Sequence, residues 1–270
     1  MKKIILIFIS FLFLSFNTLM ASEISTYLIG EYVDSSTATK QLKDAGYEVL
    51  TEYASVKDGT TIVFTNEALK AEAVKPKRAH MAVLRLFIDN KEKMISITNP
   101  IYFGKAFMQD EYNDKVFTKE LATLNTTFGP LKGSVDMLDE DDIAGYHFMM
   151  GMPYYEDSDK LGEGTMAELL RKAQNYKKGK FVLFTLKLSD DSYLVGYDLA
   201  KRTKKFVKKI GRANAAVLPY CISIENGVAT SLEAKYYLAV SYPLLSMGEF
   251  TTIATVPGAI KKDLAKVFKK

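Results

Sequence analysis

The sequence predicts an α+β protein made of two similar units, each with an antiparallel or mixed sheet and helices packed on one face. Strand-type stretches bounded by turn residues alternate with stretches of helical spacing, and this order of elements occurs twice, about 133 residues apart. A composition of 48% hydrophobic and 25% charged residues over 270 positions is that of an ordinary globular protein. The net charge of +4 is too small to indicate a nucleic-acid partner.

The first 21 residues are typical of a secretory signal peptide. Met1-Lys2-Lys3 is followed by an apolar run from Ile4 to Phe16, and Ala21 offers a small residue for cleavage. We therefore predict a periplasmic or secreted protein, cleaved after about Ala21. Leu19 occupies the third position before the predicted cut, where a small residue is preferred. An uncleaved membrane anchor is therefore the alternative. No cysteine lies near the cut, so a lipoprotein is not predicted.

Residues 22–130 form the first predicted unit. An opening strand at Tyr27–Val33 precedes a helix at Thr37–Gly46, and Asn66 is the expected N-cap of a helix at Asn66–Lys75. The other expected elements are strands at 47–53, at 60–65 and from 82 to the turn at 89–90, a return strand at 94–98 that runs into Pro100, and a helix at 112–128.

Residues 146–270 repeat this order in a diverged form, after the acidic stretch 131–145, which we interpret as a solvated linker. The first expected elements are an opening strand at 146–155, a helix at 165–178, strands at 180–188 and 192–197, and a helix from Asp198 to Ile210. A strand that opens at 216–218 and reaches a turn at Glu225-Asn226-Gly227 follows, then a return strand at 236–241 before Pro243 and a final helix after Pro257. Residue identity between the units is low, so the duplication rests on the shared order of elements. We expect a ligand crevice between the two units.

The first unit also resembles a known family. Four segments carry the resemblance: Thr37–Leu50 (TATKQLKDAGYEVL), Phe64-Thr65-Asn66, Arg85–Asp89 (RLFID) and Ile97-Thr98-Asn99-Pro100. Together they resemble bacterial proteins of domain-of-unknown-function family 302. A fainter version covers 146–268, where Tyr242 replaces the asparagine before the proline. The resemblance implies a compact α+β domain and supplies no catalytic residue. The departure in the second half leaves open whether both units could hold a site.

Common catalytic signatures are scarce in this sequence. His80 and His147 are the only histidines and Cys221 is the only cysteine, so histidine-activated nucleophiles and zinc sites lack residues. No phosphate-binding loop, dinucleotide-binding glycine pattern or haem-attachment pair occurs. Paired carboxylates stay open, because such residues can come from anywhere in a chain. The sequence therefore leans against an enzyme without deciding the question, and it assigns no catalytic residue and no cofactor.

His147 and Met149 are the candidates for a metal site. In a strand the two side chains would share one face, and imidazole and thioether ligands suit cuprous copper. Methionines interleaved with aromatic residues, as in 146–153, are also typical of core packing. We prefer the packing interpretation and keep copper as the alternative.

A concentrated positive charge marks the predicted helix from Asp198 to Ile210. Its basic residues, with one just beyond it, are Lys201, Arg202, Lys204, Lys205, Lys208, Lys209 and Arg212. The opposite, mainly apolar stripe predicts that the helix docks on a sheet and presents its cations outward. Such a face can contact an anionic membrane surface or an acidic partner, or it can simply be solvated.

We predict a non-catalytic binding or interaction protein that holds an unknown small ligand or a protein partner. One alternative is a hydrolase-like periplasmic enzyme that uses carboxylates and tyrosines. The other is an envelope-associated structural protein that docks through its basic helix. An exported protein does not ordinarily meet nucleic acid, and we expect none as a partner.

Overall fold

A computed structural model describes residues 22–269, and the predicted signal peptide lies outside the described residues. The protein is α+β, as the sequence predicts, with antiparallel sheets and helices beside them. Across residues 22–269, none of the helices combines the length and the apolar character that crossing a membrane requires.

The first half folds around an antiparallel sheet. Its elements in chain order are strands β1 (Glu23–Ser25) and β2 (Tyr27–Glu31), helix α1 (Ser35–Asp44), strands β3 (Glu48–Val56) and β4 (Gly59–Thr65), helix α2 (Glu67–Ala73), strands β5 (Leu84–Asp89) and β6 (Met94–Thr98), and helices α3 (Pro100–Met108) and α4 (Asp114–Phe128). The strand order is β3-β4-β5-β6-β2. Asn66 caps α2 as predicted, because its side chain accepts a hydrogen bond from the backbone N–H of Leu69 at 2.9 Å.

The second half folds around a sheet of five strands. Between the halves lie the short strands β7 (Lys132–Gly133), which adds a sixth strand beside β2, and β8 (Met137–Asp139), which pairs with β1. The remaining elements are strand β9 (Asp159–Glu163), helix α5 (Met166–Asn175), strands β10 (Val182–Ser189) and β11 (Ser192–Tyr197), helix α6 (Val207–Ile210), strands β12 (Tyr220–Glu225) and β13 (Val228–Ser231), and helices α7 (Ala234–Ser241), α8 (Met247–Thr252) and α9 (Val256–Phe268).

The two halves share one topology. The strand order β10-β11-β12-β13-β9 repeats the order β3-β4-β5-β6-β2, and α5 and α7 stand where α1 and α3 stand. Strand pairing also fixes which residues are equivalent. Gly59 pairs with Asp89 in the first half and Ser192 pairs with Glu225 in the second, so Asp89 and Glu225 hold the same position. This shared topology supports the duplication that the order of elements indicated.

Two predicted strands of the second half are wrong. Residues 236–241 lie in α7, and the return strand is β13; the described residues 146–155 form no strand, and the opening strand is β9. The prediction matched Pro243 with Pro100, whereas the structure matches the beginning of α7 with Pro100 at the beginning of α3. A short apolar run is typical of a buried helix as well as of a strand, and here Glu233 caps the helix by accepting two backbone N–H hydrogen bonds.

The predicted basic helix from Asp198 to Ile210 is also wrong. Residues 203–206 form a 3-10 turn, and the short helix α6 follows. Lysines four residues apart, such as Lys201 and Lys205, repel each other on an α-helix. Thr203 donates a hydrogen bond of 2.7 Å to a carboxylate of α9, and this tertiary contact holds the segment in its turn conformation.

The acidic stretch 131–145 is tied to both halves. Its strands β7 and β8 pair with the first half, and Asp136 accepts a hydrogen bond of 2.6 Å from the side chain of Asn214 in the second. Three of its acidic residues are exposed, namely Asp139, Asp141 and Asp142. The prediction of a solvated linker therefore describes these residues and not the segment as a whole.

Residues on each strand alternate between helices on one side and the other half of the molecule on the other side. On β4, Ile62 and Phe64 pack in the cluster that contains the helices, while the intervening Val63 packs with Phe184 and Leu194 of the second half. Each sheet thus turns its uncovered face toward the other sheet. The boundary between the halves is an apolar interface and not an open hinge.

Helices α3 and α7, which are equivalent, contact each other beside this interface. Tyr102 of α3 donates a hydrogen bond to the carbonyl of Val240 in α7 at 2.8 Å, and Tyr236 of α7 donates to the carbonyl of Ala106 in α3 at 3.2 Å. Tyr102 is equivalent to Tyr236, and Ala106 is equivalent to Val240. The two hydrogen bonds are therefore reciprocal, as at the contact of a two-fold symmetric dimer.

We predict that Tyr102→Phe and Tyr236→Phe each lower the free energy of unfolding by about 1 kcal/mol, because each change deletes one buried hydrogen bond and keeps the ring packing. Urea denaturation followed by circular dichroism measures this loss. Tyr154→Phe is the control, since Tyr154 is 48% exposed. An equal loss in the control would contradict the special role of the two helix tyrosines.

Candidate functional site

A cavity of about 480 Å³ opens between the two halves, and we call it the basic crevice. The end of β3 supplies one wall, including Ser55 and Val56, and the second half supplies Phe181 and Leu199. Lysines of the predicted basic helix stand at its edge: Lys201, Lys204, Lys205 and Lys208. The crevice therefore combines an apolar wall with a cationic rim.

The lysines of the crevice differ in their partners. Lys204 forms an ion pair within the protein: its ammonium lies 2.5 Å from a carboxylate oxygen of Asp198. Within residues 22–269, Lys201, Lys205 and Lys208 are exposed and have no acidic partner within ion-pair distance. Three cations at the rim are thus free to meet an anion.

The other predicted basic residues lie away from this rim. Lys209 donates a hydrogen bond of 2.9 Å to the carbonyl of Thr252, and Arg202 lines a separate cavity of about 380 Å³. Arg212 points into the boundary between the halves. The sequence therefore grouped seven cations that the structure divides among several surroundings.

A second, mainly apolar cavity of about 170 Å³ adjoins the basic crevice. The two cavities share Phe181, Asp198 and Leu199 as lining residues. The apolar walls of the second cavity are Tyr176, Tyr197, Leu264 and Val267. An apolar surface therefore continues from the cationic rim toward α9.

Arg212 forms an ion pair across the boundary between the halves. Its Nε and Nη2 donate hydrogen bonds to the two carboxylate oxygens of Asp89 at 2.7 and 2.9 Å. The same guanidinium donates to the backbone carbonyls of Lys57 and Asp58, each at 2.7 Å. The side chain of Asp89 is only 1% exposed, so this carboxylate depends on Arg212 for its counter-charge.

Two opposing effects, burial and hydrogen bonding, set the pKa of Asp89. Burial alone would raise the pKa of this carboxyl group, but the hydrogen bonds from Arg212 and from the backbone N–H groups of Glu92 and Lys91 lower it overall. Asp89 therefore stays ionised, and the ion pair ties the end of β5 to the segment that leads into β12.

The equivalent carboxylate, Glu225, lies in a cavity of about 370 Å³ that we call the Glu225 pocket. The first half contributes Lys77 and His80, and the second half contributes Ser223 and Asn226. The backbone N–H of Lys77 donates to Oε2 of Glu225 at 3.1 Å. Burial raises the pKa of Glu225, whereas the pKa of Asp89 is lowered.

A buried polar cluster that adjoins the Glu225 pocket at His80 contains Arg85, His80 and Cys221. Arg85 donates to the carbonyl of Pro219 and lies 3.3 Å from the sulfur of Cys221. Burial lowers the pKa of His80 to about 3, with help from the positive charge of Arg85, and burial raises the pKa of the Cys221 thiol. Cys221 is thus a buried thiol, and the adjoining cavity of about 10 Å³ is too small for an organic ligand.

His147 and Met149 lie in irregular chain, so the shared strand face that suggested a copper site does not form. The ring of His147 packs on Tyr154, with centroids 4.4 Å apart, and Met149 is 44% exposed. Within residues 22–269, no cluster of three or more His, Cys, Asp or Glu side chains has the geometry to hold a metal ion. Copper binding stays a prediction.

Comparison of the chain with family models, with curated proteins and with solved structures returned no significant match. The resemblance to domain-of-unknown-function family 302 therefore stays a prediction.

The Arg212–Asp89 ion pair and the Glu225 pocket were missed by sequence reasoning. Asp89 and Glu225 were both recognised as turn residues after a central strand, and this equivalence was the available signal. Pairing Arg212 with Asp89 requires the packing of the two sheets, because the residues are far apart in the chain.

We predict that Arg212→Ala lowers the free energy of unfolding by about 3 kcal/mol at neutral pH, because it leaves the buried Asp89 carboxylate without a cation. Urea denaturation measures this loss. Lys201→Ala is the matched control: it removes a nearby exposed cation with no acidic partner, so the change should be within about 0.5 kcal/mol. Equal effects of the two changes would refute a structural role for the ion pair.

The same variants predict a pH dependence. The folded-state pKa of Asp89 is lowered, so its contribution to stability is present above the unfolded-state pKa and is lost as pH falls through the folded-state pKa. The stability difference between the wild-type protein and Arg212→Ala should therefore shrink as the solution is acidified. A difference that is constant down to strong acid would contradict this linkage.

Proposed function

We propose that this protein is a non-catalytic binding protein and that the basic crevice holds a small organic anion with an apolar body. The observation that carries the proposal is the position of Lys201, Lys205 and Lys208, without acidic partners, at the rim of a cavity between the halves. A ligand of this kind would place its acidic group among the lysines and its apolar part against Phe181 and Leu199.

The charge at the crevice supports an anionic ligand. Lys204 is paired with Asp198 and Lys57 with Asp58, and the three other lysines of the lining leave a local excess of positive charge. Each exposed ion pair contributes only about 0.5 kcal/mol, so the lysines steer and orient an anion more than they hold it.

The apolar wall supplies the second part of the affinity. Phe181 is half-buried and keeps accessible apolar surface, and the adjoining cavity extends this surface toward α9. Burial of apolar ligand surface contributes roughly 25 cal/mol per Å². An anion with a ring or a short hydrocarbon chain therefore fits better than an inorganic ion.

The chemistry of the lining favours binding over catalysis. Among residues 22–269, no histidine or cysteine lines the basic crevice. The Ser55 hydroxyl accepts a hydrogen bond of 2.8 Å from Thr61, and the carboxylate of the lining, Asp198, is paired with Lys204. The crevice thus offers charge and apolar surface and no activated nucleophile.

We expect the fluorescent anion 8-anilinonaphthalene-1-sulfonate to bind the purified protein and to bind about tenfold more weakly to the triple variant Lys201→Gln, Lys205→Gln, Lys208→Gln. Three lost ion pairs of about 0.5 kcal/mol each amount to this factor. A fluorescence titration measures the affinity, which should also fall with added salt.

Two controls make this test specific. The variant Lys43→Gln, Lys115→Gln, Lys119→Gln removes the same charge from exposed positions on α1 and α4, and it should bind the anion like the wild-type protein. The uncharged analogue N-phenyl-1-naphthylamine should bind both triple variants equally. Equal loss of anion binding in the two variants would show a general charge effect and would refute the proposed site.

A further inference from the structure

The approximate two-fold symmetry gives each half the same acidic position, but the chain fills only one of the two surrounding spaces. Asp89 and Glu225 each end the central strand of a sheet and pair with the first residue of the neighbouring strand. Both side chains lie at the boundary between the halves. What differs is the group that the opposite half brings to the carboxylate.

At Asp89, the opposite half brings a guanidinium. Arg212 lies eight residues before Tyr220, the first residue of β12, and the residue eight positions before Leu84, the first of β5, is Pro76. Proline has no side-chain donor, and Glu225 receives only the backbone N–H of Lys77 from the first half. At the position beside Glu225 that is equivalent to the position of Arg212 beside Asp89, the first half therefore has Pro76 and no guanidinium.

The basic side chains near Glu225 form ion pairs with other carboxylates. The ammonium of Lys77 lies 3.1 Å from a carboxylate oxygen of Glu156 and is largely exposed. The guanidinium of Arg78 forms ion pairs with Glu156 at 2.9 Å and with Asp110 at 3.1 Å. The lining of the pocket contains one lysine, Lys77, and two carboxyl groups, those of Glu156 and Glu225, so Glu225 is the acidic group without a cation of its own.

Three buried polar atoms of the pocket make no hydrogen bond of ordinary geometry. Within residues 22–269, these atoms are Oε1 of Glu225, Oγ of Ser223 and Nε2 of His80, although the hydroxyls of Ser223 and Ser192 lie near enough to Glu225 to lower its pKa against the effect of burial. His80 is 7% exposed and Ser223 is 4% exposed, so the cost of leaving them unpaired is that of a buried polar group. The oxygens of Glu225 and Ser223 can accept a hydrogen bond, and a neutral imidazole such as that of His80 has one accepting nitrogen.

We propose that the Glu225 pocket binds a small organic cation with a guanidinium or primary ammonium head, in the place that Arg212 occupies beside Asp89. The cation lies against the carboxylate of Glu225, beside the polar side chains of Ser223 and His80 that also line the cavity. The cavity of about 370 Å³ accommodates a head group with a short substituent that extends toward solvent. This site is separate from the basic crevice and does not depend on the function proposed for it.

The test compares two probes of the same shape, ethylguanidinium and uncharged ethylurea, in an NMR titration of the isotope-labelled purified protein. We expect saturable binding of ethylguanidinium in the millimolar range, reported by the backbone amide of Lys77, and at least tenfold weaker binding of ethylurea. Glu225→Gln should abolish the preference for the cation and should leave binding of 8-anilinonaphthalene-1-sulfonate unchanged. Glu163→Gln, an exposed glutamate already paired with Lys160, should bind ethylguanidinium like the wild-type protein.

Arg212→Ala provides a positive control within the same molecule, because it creates at Asp89 the space that Pro76 leaves at Glu225. This variant should gain a second ethylguanidinium site and recover part of its lost stability. Binding at Asp89 of the variant without binding at Glu225 of the wild-type protein would overturn the proposal. Equal affinities for the two probes, or unchanged cation affinity in Glu225→Gln, would also overturn it.

Discussion

Each sheet carries helices on one face only, and the burial of the opposite face is the constraint on which the rest of the structure depends. An uncovered apolar face must find a partner, and the duplicated half supplies the equivalent face. Val63 therefore packs with Leu194, and the hydroxyls of Tyr102 and Tyr236 reach across to equivalent carbonyls. A self-complementary contact of this kind is what two-fold symmetry produces.

An approximate two-fold interface presents every feature twice, and divergence between the halves then gives the two copies different properties. Arg85 of β5 is equivalent to Cys221 of β12, and in the folded protein the guanidinium lies beside the sulfur. Likewise Asp89 has a guanidinium partner and Glu225 has none. The backbone has the same arrangement around Asp89 and around Glu225, because that arrangement depends on the strands. The charge differs between the two positions, because it depends on single side chains.

Much of the fold could be predicted from sequence, and the exceptions have physical causes. The first half was predicted well because its N-cap at Asn66 and its proline at the beginning of α3 mark boundaries that the backbone itself requires. In the second half, α7 begins after Glu233, a less typical cap, and its buried apolar run was mistaken for a strand. The basic segment was mistaken for a single helix because spacing alone does not show that α9 holds Thr203.

The candidate sites could be predicted only in part, because they depend on which residues meet across the interface. Lys201, Lys205 and Lys208 are among the seven basic residues that the sequence predicts as contacts for an anionic surface, because local charge is displayed directly by a sequence. Glu225 became visible as a site only when the folded structure identified Asp89 as its equivalent and Arg212 as the group without a counterpart. In a duplicated protein, a side chain that satisfies one copy and is missing from the other therefore indicates where a ligand can complete the interface.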